Sequence, residues 1–185
     1  LPAEALKAAA DALNGCERPI VMAGGGAIAS NASEEIKTLA EKLNAPVVST
    51  LMGLGAFPAS HPLNLGMMGM HGTHAAAKAC MESDCILAIG TRFSDRVALN
   101  RDKFAKDKTV IQIDIDDAEM GKNVAATHTV LGDVKEALKT LLPLLIPVKE
   151  RAFAQKVTSY KTEEKKSAGI SELGHKILTE AAKLV

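Results

Sequence analysis

The sequence has no tryptophan, one tyrosine and four phenylalanines among 185 residues. So few aromatics leave little surface for stacking on nucleic-acid bases. It has no excess charge of either sign, because 22 basic residues balance 22 acidic ones. A nucleic-acid partner calls for a basic face, and an anionic membrane for a polybasic patch. Both classes are therefore set aside. Its three cysteines, Cys16, Cys80 and Cys85, are odd in number and include no C-x-x-C pair. That points to ordinary reduced thiols rather than a disulfide framework or a zinc site. There is no G-x-S-x-G elbow, Walker loop, internal repeat or low-complexity tract, and no complete catalytic machinery stands out. The sequence opens at Leu1 without the charged and apolar regions of a secretory signal. The expectation is a piece of a longer, cytoplasmic protein.

One absence is local. From Leu43 to Ala77, 35 consecutive residues carry no Lys, Arg, Asp or Glu. The length would suit a membrane span, but Pro46, Pro58 and Pro62, five glycines and His61, His71 and His74 interrupt it. A spanning helix needs about 20 predominantly apolar residues in unbroken helix. The stretch reads instead as irregular backbone buried under something.

What is present is a strand–helix alternation. A helix is expected from Pro2 to Leu13, with Gly15 as its stop. Pro19–Ala23, Pro46–Ser49, Cys85–Ile89, Val110–Ile113 and His128–Leu131 read as strands. Their short apolar runs without alternation suit strands buried on both faces of a parallel sheet. Asn31 with Glu34 resembles a capping box for a helix through Leu43, which Asn44 ends. Further helices are expected over 73–83 and from Val134 to Leu142. The fold class is α/β, a doubly wound, Rossmann-like sheet of five or six mostly parallel strands with helices on both faces. It is expected to fill residues 1–147, with a helical linker over 148–185. In that tail Glu150–Lys166 reads as polar helix and Ser167-Ala168-Gly169 as a break. Ile170, Leu173, Ile177, Leu178 and Leu184 could share an apolar face. The tail either leads to a further domain or packs on the sheet.

Ligands of open α/β sheets bind outside the carboxyl ends of the strands. Those ends are Gly24-Gly25-Gly26, Ser49 to Gly53, Gly90 to Arg96, Asp114-Ile115-Asp116 and Gly132-Asp133. Glycines admit close backbone approach. Arg92 and Arg96 suit a pyrophosphate, unless they and Asp95 satisfy one another. Asp114 and Asp133 suit ribose hydroxyls or an adenine amino group. Together they read as a dinucleotide site. Gly24 to Ala29 fits G-x-G-x-x-A, but Ser49-Thr50 ends the second strand with no acidic residue, which disfavours NAD. His71 and His74 read as a backbone-positioning or ligand-contacting residue and a surface residue, not as metal ligands. Met52, Met67, Met68 and Met70 read as core filler or as an apolar wall for a flat ring. Asp116, Asp117 and Glu119 read as caps for the helix that follows.

At Gly66-Met67-Met68-Gly69-Met70-His71-Gly72-Thr73 and Gly90-Thr91-Arg92-Phe93-Ser94-Asp95-Arg96-Val97 the sequence resembles acetohydroxyacid synthase, also called acetolactate synthase. Ser49 to Gly55 and Ile113 to Asn123 add to the likeness, which runs from Leu1 to Leu145. The resemblance implies the central domain of the catalytic subunit, which holds FAD in a thiamine-diphosphate enzyme that condenses two 2-oxoacids with loss of carbon dioxide. That FAD is required yet takes no net redox part. Thiamine diphosphate and Mg²⁺ would belong to flanking domains of the same chain. The resemblance further implies a homo-oligomer and a regulatory subunit as partners, and a fragment inactive by itself. Carried over by position, Gly25 and Gly26 would approach FAD. Thr50, Leu51, Met52, Met70 and His71 would line its ring or ribityl chain. Gly90, Arg92, Arg96 and Val97 would serve the phosphates and ring. Asp114, Ile115, Asp133 and Val134 would hold the adenosine end. Ser94 stands where the family usually has Asp, and Ala98-Leu99 where it has Thr-Gly, which leaves related carboligases and oxidases open. A free-standing electron-transfer flavin module is the rival reading.

Overall fold

A computed structural model describes residues 1–98, 100 and 104–167. Leu99 and the expected apolar face from Ile170 to Leu184 lie outside these residues. Helix α1 (Ala3–Gly15) leads into strand β1 (Pro19–Ala23), the short helix α2 (Gly25–Ala29) and helix α3 (Ser33–Leu43). Strands β2 (Val47–Ser49) and β3 (Asn64–Met67) precede helix α4 (His74–Glu82). Then come β4 (Cys85–Ile89), β5 (Thr109–Asp114), β6 (His128–Leu131), α5 (Val134–Leu141) and α6 (Ala152–Ser167). The six strands lie in the order β3-β2-β1-β4-β5-β6, and every pairing is parallel.

Successive strand residues face opposite sides, so each apolar run feeds two cores. Val21, Leu87, Ile89, Ile111 and Ile113 pack with α1, α3 and α5 on one face. Ile20, Met22, Ile86, Ala88 and Val110 pack with α4 and α6 on the other. This double burial explains the missing polar alternation in the strands. Asn44 ends α3 in the left-handed conformation, at φ 47°.

Two expectations change. Asn31 does not open a capping box. It sits at φ 53° in the turn between α2 and α3, and α3 begins after Ala32 with no side-chain cap. Asn tolerates that conformation because its short side chain can bond locally. The uncharged stretch is neither wholly irregular nor wholly buried. It contains a 3-10 turn, Leu51–Gly53, and the edge strand β3, while Leu51, Met52, Leu54 and Met70 are exposed. Asn64-Leu65-Gly66-Met67 lacks β-branched residues, and Gly66 sits at φ 93° where the β2–β3 register shifts, so the segment gave no strand signal. The part of the tail that is described is a packed helix. Phe153, Val157 and Tyr160 of α6 are buried against α4.

Candidate functional site at the carboxyl edge of the sheet

The strand order reverses between β1 and β4, which puts the topological switch point at the loops that follow them. These loops touch backbone to backbone. The Gly24 N–H donates to the Ile89 carbonyl at 2.8 Å and the Gly26 N–H to the Gly90 carbonyl at 3.0 Å. A Cβ on Gly26 would stand 2.7 Å from the Gly90 Cα, and one on Gly90, at φ 56°, would stand 2.5 Å from the Gly26 Cα. Gly26 and Gly90 are therefore required by each other, a chain-to-chain closeness that the glycine pattern alone could not separate from ligand approach. Gly25 faces the next loop, where its Cβ would meet that of Met52 at 3.1 Å.

The remaining loops are tied pairwise along the edge. The Thr50 N–H donates to the Ala23 carbonyl, Gly90 to Ile113 and Gly132 to Asp114. The Met70 N–H donates to the Arg96 carbonyl at 2.9 Å, which brings the loop after β3 onto the loop after β4. Asn123 Nδ2 donates to the Arg92 carbonyl at 2.7 Å.

On this scaffold the candidate residues separate into two groups. Leu51, Met52, Met70, His71, Arg92, Arg96, Ile115 and Asp133 reach the surface or lie near it, and Met52 is 74% and Ile115 71% exposed. Thr50, Gly90, Val97, Asp114 and Val134 are buried. The side chains of Val97 and Val134 belong to the two cores. Asp133 caps α5, its Oδ1 accepting from the Glu136 N–H at 3.1 Å, and Asp114 Oδ1 accepts from the Asp116 N–H. Asp116 caps the turn after β5, as expected.

The Arg92–Asp95–Arg96 cluster does not satisfy itself. Asp95 Oδ1 accepts from the Arg96 backbone N–H, and among the described residues no carboxylate pairs with either guanidinium. The edge thus presents two uncompensated cations, exposed apolar side chains and a buried carboxylate. That donor set fits a dinucleotide with a flat apolar ring: Arg92 and Arg96 for phosphate, Asp114 for hydroxyls, and Leu51, Met52, Met70 and Ile115 for the ring and base. Met68, by contrast, packs on a core. His61 holds Glu41 of α3 at 3.2 Å and stacks edge-on against Phe57, so its work is local. Among the described residues no cluster of three or more His, Cys, Asp or Glu is placed to hold a metal ion.

Gln112 escaped the sequence reading. It is 1% exposed, donates to the Glu119 carbonyl at 3.0 Å and accepts from the Gly121 N–H at 2.9 Å. A lone polar residue inside Val110-Ile111-Gln112-Ile113 was its only signal. Two open hollows, of about 420 Å³ and about 480 Å³, lie toward the opposite edge, by the starts of β5 and β6 and beside Cys16.

The chain also resembles known proteins. The thiamine pyrophosphate enzyme central domain family matches residues 6–141. The probable acetolactate synthase large subunit of Methanocaldococcus jannaschii is 53% identical over 141 residues, covering 76% of this chain and 24% of that protein. The acetolactate synthase of Mycobacterium leprae is 49% identical over 140 residues, covering 76% and 22%. The acetolactate synthase large subunit of Buchnera aphidicola subsp. Schizaphis graminum is 46% identical over 129 residues, covering 70% and 23%. The matched region thus amounts to less than a quarter of each of these relatives.

Proposed function

This chain belongs to the thiamine pyrophosphate enzyme family as a central domain of the acetolactate synthase kind, and on that premise we propose that its carboxyl edge holds FAD in a structural role. The observation that carries the reading is the pair of uncompensated guanidiniums, Arg92 and Arg96, beside exposed Met70 on one sheet edge. Arg92 and Arg96 neutralise the pyrophosphate. Asp114, with an oxygen not used by the Asp116 N–H, accepts from a ribose hydroxyl, and Asp133 does so at the same end. Thr50, Leu51, Met52, Met70 and His71 form one wall for the ring and ribityl chain. FAD, when bound, contributes a rigid planar body rather than electrons.

The wall is open on its outer side, so flanking domains complete it. Those domains supply thiamine diphosphate and Mg²⁺, and the whole enzyme condenses two 2-oxoacids with loss of carbon dioxide. It works as a homo-oligomer with a regulatory subunit, in the cytoplasm. The chain described here makes no acetolactate by itself and binds FAD weakly, because the contacts of the flanking domains are missing.

Flavin content tests this. A longer chain that carries the flanking domains is expected to retain FAD. Replacing Arg92 and Arg96 together by Ala removes charge-assisted bonds worth about 1.5–3 kcal/mol each, so affinity falls at least about a hundredfold. Unchanged flavin content with intact circular dichroism would overturn the assignment. Reversible reduction of the flavin during turnover would favour the electron-transfer reading instead.

A further inference from the structure

The sequence shows the thiols only as ordinary reduced residues, yet the fold brings two of them to the same edge of the sheet. Cys16 follows the last turn of α1 and Cys85 is the first residue of β4, both at the amino edge of the sheet, away from the flavin wall. Pro19, three residues after Cys16, pairs with Cys85 in the β1–β4 register. Cys16 packs against the core cluster that contains Cys85. The Cys16 thiol in turn donates to the Leu13 carbonyl at 3.0 Å.

Their surroundings differ. Cys85 is fully buried, while Cys16 is half-buried and lines the open hollow of about 480 Å³ together with Ala12, Gly15, Asp84 and Lys108. The Arg151 guanidinium stands beside Cys16, its Nη1 donating to the Cys16 carbonyl at 2.7 Å and to the Glu17 carbonyl at 3.2 Å. A half-exposed thiol next to a cation and backed by a second thiol is the arrangement of an attacking and a resolving cysteine.

We propose that Cys16 and Cys85 form a thiol–disulfide exchange site for a small disulfide of the glutathione disulfide class. Cys16 loses its proton to solvent, and its thiolate attacks one sulfur of the small disulfide. A Cys16 mixed disulfide forms and one small thiolate leaves. Cys85 then gives up its proton, and its sulfur attacks the Cys16 sulfur, expelling the second small thiolate. The two protons lost by the cysteines are matched by the two thiolates released. The protein thiols are oxidised by two electrons and one small disulfide is reduced to two thiols.

The ionisation of the pair agrees with this order of attack. Neighbouring Cys85 holds the Cys16 thiol below its ordinary value against the effect of burial, with Arg151 adding to the lowering and Asp84 opposing it. Cys85 is pushed up, first by neighbouring Cys16 and then by burial. Burial, against the opposing charge of Lys108, pushes Cys80 up to about 12, which makes it an internal control.

The test uses the full 185-residue chain with glutathione disulfide under native conditions. Thiol blocking with N-ethylmaleimide and peptide mass mapping follow. The expected product has Cys80 alone blocked and a Cys16–Cys85 linked peptide without retained glutathione. In Cys85→Ala the reaction halts at a glutathione adduct on Cys16, and Cys16→Ser does not react. A wild-type chain that accumulates the Cys16 adduct while Cys85 remains blockable would overturn the proposal. So would reaction of Cys80 as fast as Cys16, or no reaction at all. The wild-type result decides the matter even if a variant fails to fold.

Discussion

Gly90 shows how much one missing methyl group can decide. Its left-handed backbone, at φ 56°, and its closeness to Gly26 act together. Gly90→Ala meets a backbone penalty of about 1–2 kcal/mol and overpacking of about 1–3 kcal/mol, so unfolding in urea is expected at a clearly lower midpoint. Gly121→Ala is the comparison. It is also left-handed, at φ 65°, but its nearest obstacle is 3.8 Å away, so only the backbone penalty of about 1–2 kcal/mol applies. Equal losses at the two sites would mean that the close contact of the two loops is unimportant. Both glycines were visible in the sequence. Which of them carries a neighbour against its Cα depends on the strand order, and no local pattern encodes that. Gln112 makes the same point for a polar residue, since its partners Glu119 and Gly121 come from a turn that folds back over β5.

At the scale of elements, the helices were legible because their signals are local. Asp133 caps α5, and Thr73 caps α4 by accepting from the Ala76 N–H. Asp133→Ala is expected to cost about 1 kcal/mol of stability. If Asp133 also holds the adenosine end, flavin retention in the longer chain falls as well, and the two readouts separate the roles. The contact of α4 with α6 was not legible. Tyr160 donates to Glu82 at 2.9 Å, Lys156 pairs with Glu82 at 2.8 Å, and Lys78 lies over the Tyr160 ring at 3.9 Å. The Glu82 carboxyl is held below the usual range, first by the Lys156 hydrogen bond and, against some burial, by Tyr160. A carboxylate favoured by the fold stabilises it above the unfolded pKa, about 4.3 for Glu. That contribution is lost as pH falls through the lower folded value. Thermal midpoints of the wild type and Glu82→Gln should therefore differ near neutrality and converge below about pH 4. A difference that stays constant into acid would show that Glu82 works by packing rather than by charge.

For the whole molecule, the connection between α5 and α6 matters most. Val148 N–H donates to the Lys42 carbonyl, and Arg151 Nε donates to the Leu43 carbonyl at 2.7 Å while its Nη1 reaches Cys16 and Glu17. The segment thereby crosses the amino edge of the sheet and delivers α6 to the other face. Arg151→Ala leaves the ends of α1 and α3 without these donors, and a loss of about 1.5–3 kcal/mol is expected in urea unfolding. Preserved stability would mean that water replaces the guanidinium fully. The carboxyl-edge loops stay free of this crossing because they lie at the opposite edge.

The sequence by itself determined the α/β class, most strand and helix positions, the carboxyl-edge loops and the family resemblance. Each rests on neighbours in the chain: apolar runs, caps, glycines after strands and ordered motifs. Tertiary structure decided that β3 closes one edge of the sheet, that Gly26 and Gly90 answer to each other, and that Arg92 and Arg96 are left uncompensated among the described residues. It also decided that Cys16 packs against the cluster that holds Cys85. These are contacts between segments far apart in the chain, set by parallel register and strand order, and composition or spacing carries no trace of them.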